Sequence, residues 1–165
     1  MTISEALLLE FDQEMAKTRK TLERVPHKPD FQPHPKSMPL GKLAPHVAQL
    51  AGFGFSVLAT PQVVFSPGSY QPLPFESAAQ LVKVFDEGAA KVRRALSETS
   101  DEAWKANWKL ILQDHAIFDG PRFLAYREMF LNHLVHHRAQ LGIYLRLNGA
   151  PVPATYGPSA DEPWA

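Results

Sequence analysis

Four stretches of the chain place apolar residues three or four positions apart, the spacing of amphipathic helices that bury one face. Two proline-rich segments, residues 25–39 and 61–74, separate the first three stretches, and their proline density excludes a regular helix. The pattern predicts an all-α fold, a four-helix bundle with long proline-rich connections. The predicted helices cover about residues 2–22, 40–60, 75–98 and 121–147.

The segment before the last helix, residues 100–120, departs from this pattern. Apolar and polar positions alternate imperfectly there, and Gln113-Asp114 can form the turn of a short two-stranded excursion. A helical turn around Trp104 is equally compatible with the sequence. After the last helix, residues 150–165 form an extended tail, and Val152 and Tyr156 predict that it packs back across the bundle. We expect residues 1–165 to form one domain.

Composition and charge narrow the class of protein. The 165 residues include 17 Lys and Arg and 17 Asp and Glu, so the formal net charge is zero and no basic surface favours nucleic acid. No apolar run approaches the roughly 20 residues of a membrane span, and the N-terminus lacks the pattern of a signal peptide. We therefore expect a cytoplasmic protein that binds neither nucleic acid nor membrane.

The complete absence of cysteine limits the available chemistry. It excludes disulfides, thiolate zinc sites and a cysteine nucleophile. Any metal ion held by this chain must therefore have nitrogen and oxygen ligands.

Histidines interrupt the apolar face of the fourth helix. His133 and His137 are four positions apart and project side by side on that face. An imidazole without a partner costs roughly 1–3 kcal/mol to bury, and joint metal ligation would supply the partner. A hydrogen bond to a neighbour is the commoner explanation for one core histidine. The face consists of Tyr126, Phe130, His133, His137, Leu141 and Tyr144.

The ligand pair has an alternative register. His133 and His136 are three positions apart and could bind an ion together, as such pairs do in some bundles. We favour His137 because it shares the apolar face, whereas His136 is rotated from it by about 100°. His46 lies at the margin of the apolar face of the second helix, where a third ligand could meet the pair. By itself, a lone histidine at such a margin is more often structural.

Three histidines lie in predicted loops or turns. His27 and His34 are in the first proline-rich segment, where solvated side chains are expected. His115 follows the Gln113-Asp114 turn and is interpreted as structural.

Two segments of the sequence resemble the DinB/YfiT-like metalloenzyme family. They are LGKLAPHVAQL at residues 40–50 and LNHLVHHRAQL at residues 131–141. Residues 144–161 are similar to the C-terminal signature of its damage-inducible branch. The resemblance follows the helix order of the whole chain, and its C-terminal part is the most specific.

This resemblance implies an up-down-down-up four-helix bundle that holds a divalent metal ion, zinc or nickel, on three histidines. One ligand comes from the second helix and two from the fourth, which assigns His46, His133 and His137. It also implies a homodimer. The better-understood members are similar to transferases and isomerases that use a low-molecular-weight thiol.

Two functional hypotheses follow for a metal-binding chain. In the first, the protein is a metal-dependent enzyme acting on a small molecule, either an S-transferase with an external thiol or a hydrolase. In the second, it is a non-catalytic, stress-associated structural dimer. A metal-free interaction module is a third possibility.

No general base can be assigned from the sequence. Glu128 lies about 140° around the helix from His133. Asp114, Asp119 and Asp161 qualify only if their loops fold over the site.

Overall fold

The computed structural model describes residues 1–163, so the last two residues of the predicted tail, 150–165, lie outside it. Three long helices form the framework: α1 (Ile3–Glu23), α2 (Leu40–Ala59) and α3 (Ala78–Glu98). They lie where the apolar periodicity predicts them.

Side-chain caps fix the starts of two of these helices. The Thr2 hydroxyl accepts a hydrogen bond from the Glu5 N–H, and the Glu5 carboxylate accepts one from the Thr2 N–H. This capping box satisfies amide donors that have no partner within the first turn. The Ser77 hydroxyl caps α3, which therefore begins at Ala78 rather than near Phe75.

The last helical run is continuous but not uniform. It comprises α5 (Arg122–Ala125), a π-helical segment (Tyr126–Asn132) and α6 (His133–Leu147). The run matches the predicted helix over 121–147, but the wide π turns were not predicted. Gly149 has a φ of 72° just beyond its end, which is a left-handed conformation typical of helix termination.

A three-stranded mixed sheet lies beside the helices. Its strand order is β1-β2-β3, with β1 parallel to β2 and β2 antiparallel to β3. Gln113 and Asp114 form the tight turn between β2 and β3 with φ values of 47° and 68°. The sheet elements and the short helix before them are β1 (Gln62–Phe65), α4 (Asp101–Lys105), β2 (Asn107–Leu112) and β3 (His115–Pro121).

The prediction of an all-α, up-down-down-up four-helix bundle is therefore wrong. The two-stranded excursion and the helical turn around Trp104 both form, although they were posed as alternatives. The third strand, β1, comes from the segment predicted as a proline-rich loop. Its β-branched residues Val63 and Val64 favour an extended strand, and β2 supplies its hydrogen-bonding partners.

Glycines allow α2 to pack closely against its neighbours. A Cβ atom added to Gly54 would lie 2.8 Å from the ring of Phe130, and one added to Gly88 would lie 2.9 Å from the Cβ of Ala51. Both glycines therefore sit at close contacts, of α2 with the π-helical segment and of α3 with α2.

Arg122 joins the end of α2 to the start of the last helical run. Its guanidinium donates hydrogen bonds to the carbonyls of Val57 and Leu58, each at 2.7 Å, and to that of Thr60 at 3.0 Å. These carbonyls belong to the end of α2, where no further helical turn supplies donors. The contact holds α2 and the last helical run together.

The core contains two fully buried tryptophans on either side of the junction between α4 and β2. Trp104 donates a hydrogen bond from its indole N–H to the Ser4 hydroxyl at 2.9 Å, and Trp108 packs against Phe53 and Phe118.

No helix within residues 1–163 combines the length and apolar character that crossing a lipid bilayer requires.

A buried ion pair connects α1, α6 and the tail. The guanidinium of Arg138 lies 2.7 Å from the Glu14 carboxylate, and the Tyr156 hydroxyl donates to that carboxylate at 2.6 Å. Burial by itself raises the pKa of Glu14, but hydrogen bonds from Tyr156 and Lys17 and the charge of Arg138 together lower it below its usual value. The prediction that the tail packs back across the helices is confirmed.

Candidate metal centre

Three histidine side chains from two helices meet at one point. His46 comes from α2, and His133 and His137 lie one turn apart at the start of α6. The Nε2 atom of His133 lies 3.4 Å from that of His46 and 2.9 Å from that of His137. One nitrogen of each ring lies within 4.8 Å of the other two, and all three side chains are half-buried.

Neighbouring oxygens fix the orientation of two rings. The Nδ1 atom of His137 lies 2.7 Å from the Gln140 side-chain oxygen, and the Nδ1 atom of His133 lies 3.3 Å from the Met129 carbonyl oxygen. Because these oxygens are acceptors, each Nδ1 carries the proton, and each Nε2 offers a lone pair towards the common point. Such partners orient the histidine ligands of metal sites.

The environment favours the neutral form of each ring. Burial lowers the pKa of His46 to about 4, with smaller contributions from the rings of His137 and His133. Burial also lowers the pKa values of His133 and His137, while the bonds to Met129 and Gln140 oppose the shift. Neutral imidazole is the form that binds metal ions.

The arrangement fits a divalent ion. Two nitrogens that are each about 2.1 Å from one ion, at near-tetrahedral angles, lie roughly 3.4 Å apart. The separations of 3.4 and 2.9 Å around His133 are close to that value. Three imidazoles suit zinc, nickel, copper or iron. The prediction that His46, His133 and His137 come together is confirmed, and their binding of a metal stays a prediction.

Comparison with known proteins reveals a likeness to one family. The model of the DinB family matches residues 122–164, which include two of the three histidines. This C-terminal segment resembles the DinB family. A DinB-like protein from Bacillus cereus, solved by crystallography, is similar in structure, with a TM-score of 0.69 and 22% sequence identity. The match covers 94% of this chain and 98% of that chain, and it shows a shared fold. No curated protein matches the sequence.

The other histidines lie outside the three-histidine cluster. His136 is exposed, and the centre of its ring lies 4.8 Å from that of His137. His27 packs on Phe75, and the His34 ring accepts a hydrogen bond from a backbone N–H within its own loop. His115 is exposed at the start of β3. The structure therefore brings together His133 and His137, and not the alternative pair of His133 and His136.

None of the carboxylates considered from the sequence reaches the cluster in a described contact. Glu128 and Asp114 are exposed. Asp119 forms an ion pair with Lys109, and Asp161 forms one with Arg146. A general base therefore remains unassigned among these four.

A cavity of about 610 Å³ opens beside the cluster and reaches His46 and His133. The sheet and the loop after β1 form one side of it, and α2 and the π-helical segment form the other. Because the mixed sheet was not predicted, most residues that line the cavity were missed, including Phe65, Leu110 and Ile117. The spacing of Phe53 and Leu50 relative to His46 on α2 was the only available signal.

Proposed function

We propose that this chain, which resembles the DinB family, is a divalent-metal-dependent enzyme that acts on a small molecule. One observation carries the proposal: the Nε2 atoms of three neutral histidines converge at the inner end of an open cavity. Three protein ligands with an adjoining space are typical of catalytic metal sites, which keep a position for water or substrate.

In this proposal, His46, His133 and His137 hold zinc or nickel. When bound, the ion supplies Lewis acidity, which lowers the pKa of a water molecule or a thiol that reaches it. Gln140 and the Met129 carbonyl keep the Nδ1 protons in place, so both Nε2 lone pairs stay directed at the site. Two classes of reaction follow, S-transfer with a low-molecular-weight thiol and hydrolysis. The thiol must be external because the chain has no cysteine.

A second candidate function is a non-catalytic metal site in a structural dimer. The observation that favours it is the origin of the ligands, because an ion on His46 and His137 would cross-link α2 and α6. A structural zinc site usually has four protein ligands and is closed to solvent. Among residues 1–163 the cluster contains three histidines and adjoins a cavity, which supports the enzymatic alternative.

Metal content tests the shared part of both proposals. Protein purified without a histidine tag should carry about one ion per chain, measured by elemental analysis. His133→Ala and His137→Ala should reduce this content to background, while the exposed neighbour His136→Ala should retain it. Equal metal content in all four proteins would contradict the proposed ligand set.

Activity separates the two candidates. We expect the metal-loaded protein to convert some electrophilic or hydrolysable substrates in a screen that includes several low-molecular-weight thiols. His46→Ala should abolish this activity. Turnover that persists in His46→Ala would indicate a contaminant, and a fully loaded protein without turnover would support the structural alternative. We also propose a homodimer, which light scattering after size-exclusion chromatography tests.

A further inference from the structure

The cavity beside the three histidines has the size of a small-molecule site. Its volume of about 610 Å³ lies within the roughly 300–1,000 Å³ common for ligand pockets. The inner end is formed by buried or half-buried side chains, including His46 and His133, and the mouth by exposed ones, including Ser69 and Ile117. A molecule entering at the mouth therefore meets the histidines at the far end.

The walls of this cavity are mostly apolar and, within residues 1–163, carry no charged side chain. Among the described residues, no Lys, Arg, Asp or Glu lines it. Strand alternation explains part of this, since Leu110 and Leu112 line the cavity while Lys109, which alternates with them on β2, is paired with Asp119. The apolar lining residues are Leu50, Phe53, Phe65, Pro67, Leu110, Leu112, Ile117 and Met129.

One side chain of α2 holds the loop that forms the outer wall. The Gln49 amide oxygen accepts hydrogen bonds from the Tyr70 hydroxyl at 3.0 Å and the Leu73 N–H at 3.1 Å. The Gln49 amide nitrogen donates to the Gln71 carbonyl at 3.0 Å. Three bonds from a single residue order the proline-rich loop after β1, so the wall exists before any ligand arrives.

We propose that this cavity binds an uncharged, mostly apolar small molecule, whose reacting end reaches His46 and His133. The inference rests on the proposed function and names its substrate class: the apolar acceptor in S-transfer, or the molecule that is hydrolysed. An anionic molecule would enter without a countercharge on these walls, and a buried charge without a partner is strongly disfavoured. The carboxylates of a thiol such as glutathione therefore lie outside the cavity.

A pair of fluorescent probes with the same aromatic rings tests the charge preference. Neutral N-phenyl-naphthylamine and its sulfonated counterpart, anilinonaphthalene sulfonate, are titrated into the metal-loaded protein and into the chelated protein. We expect the neutral probe to bind at least about tenfold more tightly to the chelated protein, where no ion offers the sulfonate a countercharge, since about 1.4 kcal/mol separates affinities by that factor.

Matched isoleucine substitutions locate the binding. Ile117→Lys places a cation on the cavity wall, and Ile117 is 55% exposed, so the chain should still fold. It should weaken binding of the neutral probe at least about fivefold and reduce the preference over the sulfonate. Ile143→Lys makes the same change at a 60% exposed position of α6 outside the cavity, and it should leave both affinities unchanged.

Three outcomes would overturn the inference: equal binding of the two probes, tighter binding of the sulfonate, or a loss of binding in Ile143→Lys rather than Ile117→Lys. His137→Ala separates this result from the proposed function, because His137 belongs to the proposed ligand set but does not line the cavity. It should lose the metal and keep the neutral probe. A protein that binds the probe but never binds metal contradicts the proposed enzyme alone, and one that binds metal but no probe contradicts the cavity inference alone.

Discussion

The Nε2 atoms of His133 and His137 lie 2.9 Å apart, while the Nδ1 atom of each ring faces an oxygen acceptor. With both Nδ1 atoms protonated, two nitrogen lone pairs face each other across this short distance. Such lone pairs repel unless a proton or a cation lies between them. The hydrogen bonds around the rings therefore prepare the pair for a positive ion.

Gln140 provides the most specific test of this preparation. We expect Gln140→Leu to weaken metal binding about 10–100-fold, because loss of the acceptor at 2.7 Å frees the His137 ring to rotate and to change tautomer. Isothermal titration calorimetry with zinc or nickel measures the change.

The control for this substitution is Gln13→Leu, at an exposed position of α1. It should leave metal affinity unchanged. Both variants should keep the overall fold, as seen by circular dichroism. An unaltered affinity in Gln140→Leu would show that the oxygen acceptor does not orient the ring.

Chelation should lower the melting temperature without unfolding the chain at room temperature. The fold has a large apolar core that does not involve the histidines, so an ion adds stability only by binding to the folded state. Differential scanning calorimetry with and without a chelator measures the shift, and His133→Ala should show none. Complete unfolding on chelation at room temperature would contradict the expectation.

The stability of the metal-free protein should fall as the pH decreases from 6.5 towards 4. The folded-state pKa of His46, about 4, lies below its ordinary value of 6.5. The unfolded chain therefore takes up a proton first, so the stability that neutral His46 contributes is constant above pH 6.5 and is lost below it. We expect a loss of about 1 kcal/mol from His46 between pH 7 and 5, because solvent screens the half-buried ring.

Urea unfolding in chelator at several pH values measures this dependence. His46→Gln should reduce the slope between pH 7 and 5, since the substituted side chain does not titrate there, and His133 and His137 should keep the remainder because burial lowers their pKa values too. Glu14 adds a separate acid loss at lower pH, because its pKa is lowered from 4.5 and its carboxylate stabilises the fold only while ionised. A slope unchanged in His46→Gln would assign the effect to other groups.

Substitution by alanine should have different effects on protein stability at two nearby glycines of α2. Gly54→Ala places a Cβ 2.8 Å from the Phe130 ring and should destabilise the protein by about 1–3 kcal/mol. Gly52→Ala meets no atom within 4 Å and should be neutral or stabilising by up to about 1 kcal/mol. Chemical denaturation compares the two, and equal effects would contradict the close packing of α2 on the π-helical segment.

The buried pair of Glu14 and Arg138 should behave as a unit. Arg138→Met removes the guanidinium from the buried Glu14 carboxylate, which keeps Lys17 and Tyr156, and should cost up to about 3 kcal/mol of unfolding free energy. Adding Glu14→Gln removes that charge and should recover part of the loss. A double-mutant cycle measures the coupling, and strictly additive effects would argue against a direct interaction.

The helices were predictable from the sequence because each one repeats its apolar spacing over several turns. The meeting of His46 with His133 and His137 was predictable because two separate features agreed: the apolar face of the last helix and the family resemblance. The caps at Thr2 and Ser77 then set helix starts that periodicity alone leaves imprecise.

The sheet was not predictable in the same way. β1 is only four residues long, and its register pairs Val63 with Leu110, far away in the sequence. Such pairing leaves no local pattern, and the surrounding prolines suggest a loop. The cavity depends on this pairing, so its lining was missed as well. The π-helical segment before His133 likewise has no distinctive composition.

His46 and Gln49 occupy a single turn of α2, one directed at the other two imidazoles and the other bonded to the loop after β1. A displacement of this turn would therefore perturb the proposed ion coordination and the entrance for ligands at the same time. Variants that shift α2 should show correlated losses in both properties. Changes confined to His137 or Ile117 should separate them, so α2 would connect the proposed metal site to the ligand in the cavity.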